Sequence, residues 1–483
     1  MVFSSTIFLV YFLPFFLITY WLTPQKFRNI TALVWSILFY AWGAPKFIFV
    51  LFGSIVIDFF LAKKIHESES FLKKRYLLAS MVLNVGLLLY FKYANFFVEN
   101  GNVLLENLGM SGVHWTKLAL PIGISFFTFQ KISYIVDVYR GKNEPLQKLS
   151  DLALYIILFP QLIAGPIVRY SEIKDQLQNR VANENIDNRL NGLFRFSIGL
   201  AKKMLIANQM SELADTIFSI PEESLTMGQA WLGSLAYSFQ IYFDFSGYSD
   251  MAIGLGLMMG FRFPENFNAP YISQSITEFW RRWHITLSNW MRDYLYIPLG
   301  GNRVKSKTRL YFNLWMVFLI SGFWHGAAWT FIAWGIFHGA FLILDRLFLL
   351  RFYKMIGKPL SILITFIITL IGWVIFRAET FPQAISYVTT MFDFGNIDLA
   401  ISTTRGTYDW FVEQRFLIIL VIASFFSFLP SINFIEKSMN PFFGTKGEND
   451  FIMLKSILAI VLLYVCMTEV ISTGVNPFIY YRF

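Results

Sequence analysis

The sequence predicts an all-α, polytopic membrane protein, and three observations carry that prediction. Hydrophobic residues make up 56% of the 483-residue chain and charged residues only 15%, where a soluble domain carries about 25%. Mean hydropathy is +0.52. Apolar runs of near-spanning length recur from end to end, with no internal repeat, long polar linker or low-complexity tract between them. One integral domain, 1–483, is the simplest organisation.

The runs fall near 5–23, 29–43, 46–62, 77–93, 119–136, 152–168, 228–245, 248–263, 310–326, 329–345, 359–377, 415–432 and 453–472. Several are shorter than the about 20 residues that cross a bilayer untilted. The expectation is therefore ten or eleven crossings plus broken or re-entrant pieces. The first run, "MVFSSTIFLVYFLPFFLITYWL", lacks a cationic leading region and a small-residue cleavage site, so it reads as a spanning helix rather than a removable signal.

Basic residues set the sidedness. Lys26 and Arg28 follow the first run and "AKKIHESESFLKKRY" follows the third. Both segments read as cytosolic, with the N-terminus outside. Two further basic segments, "VYRGKNEPLQKLS" and "VRYSEIKDQLQNR", flank the run 152–168. A crossing cannot have both ends on one side. A re-entrant element broken at Pro160, Gly165 and Pro166 of "FPQLIAGPIV" resolves the conflict, because irregular backbone is tolerated at depth where it lines a protein cavity. The net charge of +9 reports topology and anionic headgroups. No nucleic-acid motif is visible.

Residues 276–309 are the most basic region, with seven Lys/Arg against two acids. Ser275 and Glu278 make a capping-box start. Ile276, Phe279, Trp280, Trp283, Leu287, Trp290, Met291 and Tyr294 then repeat at helical spacing, and Arg281, Arg282, Asn289, Arg292 and Asp293 fill the opposite arc. The pattern predicts one amphipathic helix at the cytosolic surface, with His284 projecting from the edge of its apolar arc. Arg281, Arg282 and Arg292 are candidates to attract the phosphates of an anionic donor; membrane anchoring is their alternative role.

The five histidines are the main chemical candidates. His66 and His114 sit in polar loops and read as solvated. His325 lies in "SGFWHGAAW". About 16 residues at 1.5 Å each from the basic loop ending at Arg309 place it roughly 24 Å along a helix, well into the hydrocarbon region, where ionisable groups usually have a function. Its neutral imidazole can take and return a proton at physiological pH, which suits a general base on an acceptor hydroxyl. Ser321, Gly322, Gly326, Ala327 and Ala328 around it leave room for a substrate or for a close helix. His284 is the natural second member. His338, 13 residues beyond His325, approaches it only if the chain turns near 326–330, and reads as structural.

Other chemistries are set aside. There is no Gly-x-Ser-x-Gly elbow, P-loop or His-Glu-x-x-His, and no metal site is expected. The one cysteine, Cys466, excludes an internal disulfide and a Cys-based zinc cluster; it reads as a core residue rather than an acyl carrier. In "FDFSGYSDMAIGLGLMMG", Asp244 is a candidate for hydrogen bonding in a cavity, and Gly254, Gly256 and Gly260 for close helix packing.

"QIYFDFSGYSDMAIGLGLMMGFRFPENFNAPYISQSITEFWRRWHITLSNWMRDYLYIPLGGNR" followed by "FWHGAAW" resembles the membrane-bound O-acyltransferase family, most closely its branch of bacterial alginate O-acetyltransferase membrane subunits. The likeness extends to "MVFSS", "LPIGISFFTFQKISYIVDVYRG", "FPQLIAGPIVR", "GWVIFRAE" and "PFIYYRF", and is least clear from about 400 to 450. The resemblance implies a ring of about 10–11 tilted transmembrane helices with re-entrant and amphipathic helices around a central funnel. Its catalytic core would lie at about 119–345, with the family's essential histidine at His325 and a second at His284. It also implies transfer of an acetyl group from a cytosolic donor, acetyl-CoA as substrate rather than a permanently bound cofactor, to an extracytoplasmic polysaccharide. The expected partner is a periplasmic SGNH-type acetyltransferase, and the expected place is the bacterial inner membrane, in contact with its lipid. Two other readings stand beside this one: D-alanyl transfer to teichoic acid, and a proton-coupled transporter or flippase with a histidine relay.

Overall fold

A computed structural model describes residues 1–397, 410–432, 451–473 and 477–479. Among them every regular element is helical, with no strand. Six helices are long and apolar enough to cross a membrane: Pro45–Glu67, Ser70–Asn107, Trp329–Ile356, Lys358–Arg377, Gln414–Ser431 and Ile452–Ser472. Ten or eleven crossings were expected. Several of the other apolar runs form shorter helices, broken pieces or helices that carry buried ion pairs. The contacts group the chain into two compact units, one of Met1–Arg189 with Leu255–Pro264, the other of Leu190–Gly254 with Glu265–Arg482.

The first unit contains α1 (Leu13–Leu22), α2 (Arg28–Gly43), α3 (Ile48–Glu67), α4 (Ser70–Leu88), α5 (Ala94–Asn107), α6 (Ile124–Tyr139), α7 (Leu149–Ile157), α8 (Phe159–Leu162) and α9 (Tyr170–Gln178). A π-helical turn, Leu89–Tyr93, joins α4 to α5 in one 38-residue helix. Asp58 of α3 accepts from Ser80 (2.6 Å) and Asn84 (2.9 Å) of α4 and pairs with Lys131 of α6 at 3.4 Å. All four side chains are buried. An unpaired charge there would be costly, and saturation turns it into a polar cross-link of three helices.

The run 152–168 does not form a span. At 1.5 Å per residue the nine residues of α7 rise about 14 Å, and the helix stops at Leu158, just before Pro160. The two ends of the element meet: the Tyr170 hydroxyl donates to the Glu144 carbonyl at 3.3 Å, and the rings of Tyr134 and Tyr170 lie 5.0 Å apart. The chain thus enters and returns at one place, as the charge conflict requires. The broken backbone finds side-chain partners, with Ser36 accepting from Phe159 N at 3.1 Å and Gln161 donating to the Tyr155 carbonyl at 2.7 Å. The basic segments also cluster. Arg180 reaches Asn29 at 2.6 Å and Tyr20 at 2.8 Å, Arg28 pairs with Glu184, and Lys73 lies over the Tyr139 ring.

The second unit holds most of α10 (Ile186–Ala201) and α12 (Met227–Met258), with α11 (Asn208–Phe218), α13 (Ile276–Arg282), α14 (Ile285–Met291), α15 (Lys307–His325) and α16 (Trp329–Leu344). It continues through α17 (Leu350–Ile356), α18 (Lys358–Arg377), α19 (Phe381–Thr390), α20 (Trp410–Phe428) and α21 (Ile452–Thr473). The runs 228–245 and 248–263 are not two spans, because α12 continues through Gly247. Its internal carboxylates are neutralised where they stand: Asp244 by Lys203 at 2.6 Å, Asp250 by Arg195 and Lys202, each at 2.6 Å. Gly254 serves helix packing as expected, since a Cβ there would meet the Gly192 carbonyl at 2.6 Å. Gly256 instead accommodates the Phe263 ring, and Gly260 takes a left-handed turn. Cys466 is a buried free thiol, and His66 and His114 are exposed.

Candidate active site

The expected single amphipathic helix is broken at Trp283–His284. Ser275 caps α13, accepting from Glu278 N at 3.1 Å, while Glu278 reaches back to Gln274 N at 2.9 Å. The helix ends after seven residues. Trp283 is extended, and His284 adopts the left-handed conformation (φ 43°, ψ 54°) before α14 begins. A non-glycine residue held there costs on the order of 1–3 kcal/mol and needs surroundings that over-determine it.

Those surroundings are visible. The extended segment 266–268 runs beside the break. Its Asn268 N–H donates to the Arg282 carbonyl and its Asn266 carbonyl accepts from Ile285 N, both at 2.9 Å. Trp283 is wedged against Trp373 (4.8 Å between rings) and Phe267 (5.0 Å). At the start of α13, Asp345, the residue that follows α16, accepts from Thr277 N at 2.7 Å and its hydroxyl at 2.8 Å. The apolar arc read from the sequence is correct, but it packs against protein: Trp280 meets Phe318 of α15 and Trp334 of α16.

His284 therefore does not project from a helix edge; it is fully buried at the break. Its ring stands edge-on to Phe245 at 4.7 Å, and Nδ1 lies 3.0 Å from the Asn266 side-chain oxygen. His325 is the last residue of α15 and is 7% exposed. Its ring is enclosed by Trp324 (4.9 Å), Trp334 (5.2 Å) and Phe376 (5.5 Å). Trp324 is also 6.4 Å from the His284 ring, so one indole neighbours both imidazoles. The chain does turn after His325, and α16 packs back along α15. His338 comes within the same aromatic cluster, 4.9 Å from Trp334, and accepts from Trp280 Nε1 at 3.4 Å. That is a structural task.

The small residues around His325 suggest access rather than close sealing, but Gly322 and Gly326 serve close packing. A Cβ at Gly322 would meet the Phe331 carbonyl at 2.3 Å, and one at Gly326 the Phe331 ring at 2.0 Å. Space is found elsewhere, in a mostly apolar cavity of about 230 Å³ between α13–α14 and α15–α16. Arg281 and Arg292 line it, and Ser321 reaches it one helical turn from His325. Arg282 does not line it; it is engaged with Glu278 (2.8 Å) and the Asn268 carbonyl (3.1 Å). Arg292 pairs with the neighbouring Asp293 at 2.7 Å, and among the described residues Arg281 makes no ion pair. Asn266, Trp334 and Phe376 carried no signal of their own in the sequence, since neither periodicity nor spacing links them to the histidines.

The membrane-bound O-acyltransferase family model matches residues 146–378, which include both histidines. The chain is 41% identical over its whole length, and the relative's whole length, to the "Probable alginate O-acetylase AlgI" of Pseudomonas putida. It is 41% identical to the peptidoglycan O-acetyltransferase of Helicobacter pylori over 83% of this chain and 81% of the relative. It is 31% identical to the teichoic acid D-alanyltransferase of Bacillus subtilis over 54% of this chain and 69% of the relative. Two histidines brought to one indole in an all-helical, multi-pass membrane protein, with one relative matching end to end and another over four-fifths of the chain, lead to one conclusion: the chain belongs to the membrane-bound O-acyltransferase family and is an O-acyltransferase.

Proposed function

We propose that this protein moves an acetyl group from cytosolic acetyl-CoA to an extracytoplasmic polysaccharide such as alginate, through a periplasmic SGNH-type partner. The observation that carries the reading is the placement of His284 and His325 against the same indole, Trp324, with His325 one helical turn from Ser321 of a cavity lined by Arg281 and Arg292. A cavity of about 230 Å³ is smaller than the roughly 300–1,000 Å³ of drug-sized pockets. It suits a slender acyl-bearing arm, with the donor's phosphates left outside near the arginines. The protein would sit in the bacterial inner membrane with its N-terminus outside.

In this mechanism His325 acts as general base. It takes the proton of an acceptor hydroxyl, on the partner or on the sugar, as the oxygen attacks the thioester carbonyl. The new C–O bond forms, the C–S bond breaks, and the imidazolium returns its proton to the departing thiolate. The aromatic enclosure excludes water, which protects the acyl group from hydrolysis. His284 orients or assists. Family membership sets the transporter alternative aside. The relatives named for acetyl transfer match four-fifths or more of this chain, and the D-alanyl relative about half, which supports the acetyl donor.

Replacing His325 with Ala should abolish O-acetylation of the cell-surface glycan, with His284→Ala reducing it by about 10²-fold or more. Mass spectrometry of glycan from cells with equal amounts of each membrane protein measures this. Normal acetylation in His325→Ala cells would sink the assignment.

A further inference from the structure

We infer that Asn266 is the positioning residue that sets the tautomer of His284, keeping its proton on Nδ1 and its lone pair on Nε2; the importance of this rests on His284 belonging to the acyl-transfer site. Asn266 is fully buried on the extended segment after α12. Its side-chain oxygen lies 3.0 Å from His284 Nδ1, 2.8 Å from the Thr286 hydroxyl and 3.4 Å from the Thr286 backbone nitrogen. A backbone N–H only donates, so the amide end turned toward it is the oxygen. The other end of the amide donates to Ser249 at 3.0 Å. A flipped amide would set its NH₂ against the donor-only Thr286 N–H; the Ser249 hydroxyl, able to donate or accept, would serve either orientation. An acceptor facing Nδ1 demands a proton on Nδ1, and the neutral ring then keeps its lone pair on Nε2.

The same residue holds ring and backbone together, because the Asn266 carbonyl also accepts from Ile285 N, next to the left-handed turn. The choice of an amide has a chemical consequence. A carboxylate at this place would favour imidazolium, whereas an uncharged acceptor orients the ring and leaves it neutral, ready to accept a proton. His325, which shares the Trp324 indole with His284, is a titratable group near it; its neighbours Phe245, Trp324, Asn266 and Thr286 are uncharged.

The test is ¹⁵N-histidine NMR of the full chain in lipid nanodiscs, with the His284 signals identified by difference from His284→Asn. The wild-type spectrum should show a one-bond N–H at Nδ1 and none at Nε2. Asn266→Ala should shift the proton toward Nε2. The near-isosteric Asn266→Asp should keep Nδ1 protonated and raise the midpoint of the His284 titration by about one unit or more. A proton on Nε2 in the wild type, or an unchanged tautomer in Asn266→Ala, overturns the inference. Should Asn266→Ala fail to fold, Asn266→Asp decides, and an unmoved midpoint overturns it. These readouts do not pass through activity. Cells carrying His284→Ala that still acetylate would refute the role of His284 and leave the tautomer assignment standing.

Discussion

His325 and His338 show how little a residue's type and burial say about its task. Both are buried, both touch Trp334, and both lie in apolar helices. They differ in partners. His338 has a defined hydrogen-bond duty to Trp280, while His325 ends a helix one turn beyond a cavity-lining serine. Gln can accept the Trp280 bond in place of imidazole but is a poor base. His338→Gln should therefore retain most acetylation, within about tenfold, whereas His325→Gln should lose about 10²–10⁴-fold. Acetyl content per unit of folded protein separates the two. Equal losses would show that His338 shares in the chemistry. The sequence singled out His325 through its intramembrane setting and its motif, and His284 through its cationic amphipathic segment and its motif. It did not indicate Asn266, which lies 18 residues from His284 and meets it only because the chain doubles back.

At the scale of elements, the site depends on one break and one tight pair. The apolar periodicity of 276–294 was legible and correct in what it buried. The break was not, because no Pro or Gly marks Trp283–His284. It is imposed by the backbone of 266–268 and by aromatic packing around Trp283. The α15–α16 pair is the complementary case: its glycines were visible, and whether they admitted a substrate or a helix depended on where the chain returned. Gly322→Val should test the answer. The added side chain meets a carbonyl rather than a pliable side chain, and should destabilise the pair by at least about 1–3 kcal/mol. The expected outcome is a lower unfolding temperature in detergent together with lost acetylation. A stable, active variant would mean that α15 and α16 have room to separate.

Across the whole molecule, buried ion pairs take the place that long apolar spans would otherwise fill. Lys203 and Asp244 are nearly inaccessible. The other Asp244 oxygen accepts from Ile479 N at 2.9 Å, so the pair also holds the C-terminal segment, whose Phe478 ring packs on Tyr248. Removing one member leaves the other charge buried, which typically costs about 3–5 kcal/mol. Lys203→Met should therefore lower the thermal midpoint far more than Lys203→Arg, as followed by size-exclusion chromatography of heated detergent extracts. Equal stability in the two variants would show that the cation is dispensable.

Composition, the spacing of apolar runs, the clash of basic flanks around 152–168 and the two histidine motifs were determined by the sequence alone. They suffice for an all-α membrane protein, a re-entrant element and His284 with His325 as the residues to test. These properties depend on local side-chain chemistry and on the energetic cost of placing charge in hydrocarbon. Only the tertiary structure decided that α12 is one helix, that the amphipathic segment breaks at His284, that the small residues admit a helix, and that Asn266 faces Nδ1. Each of those outcomes depends on a group far along the chain arriving within a few ångströms, which no local pattern encodes.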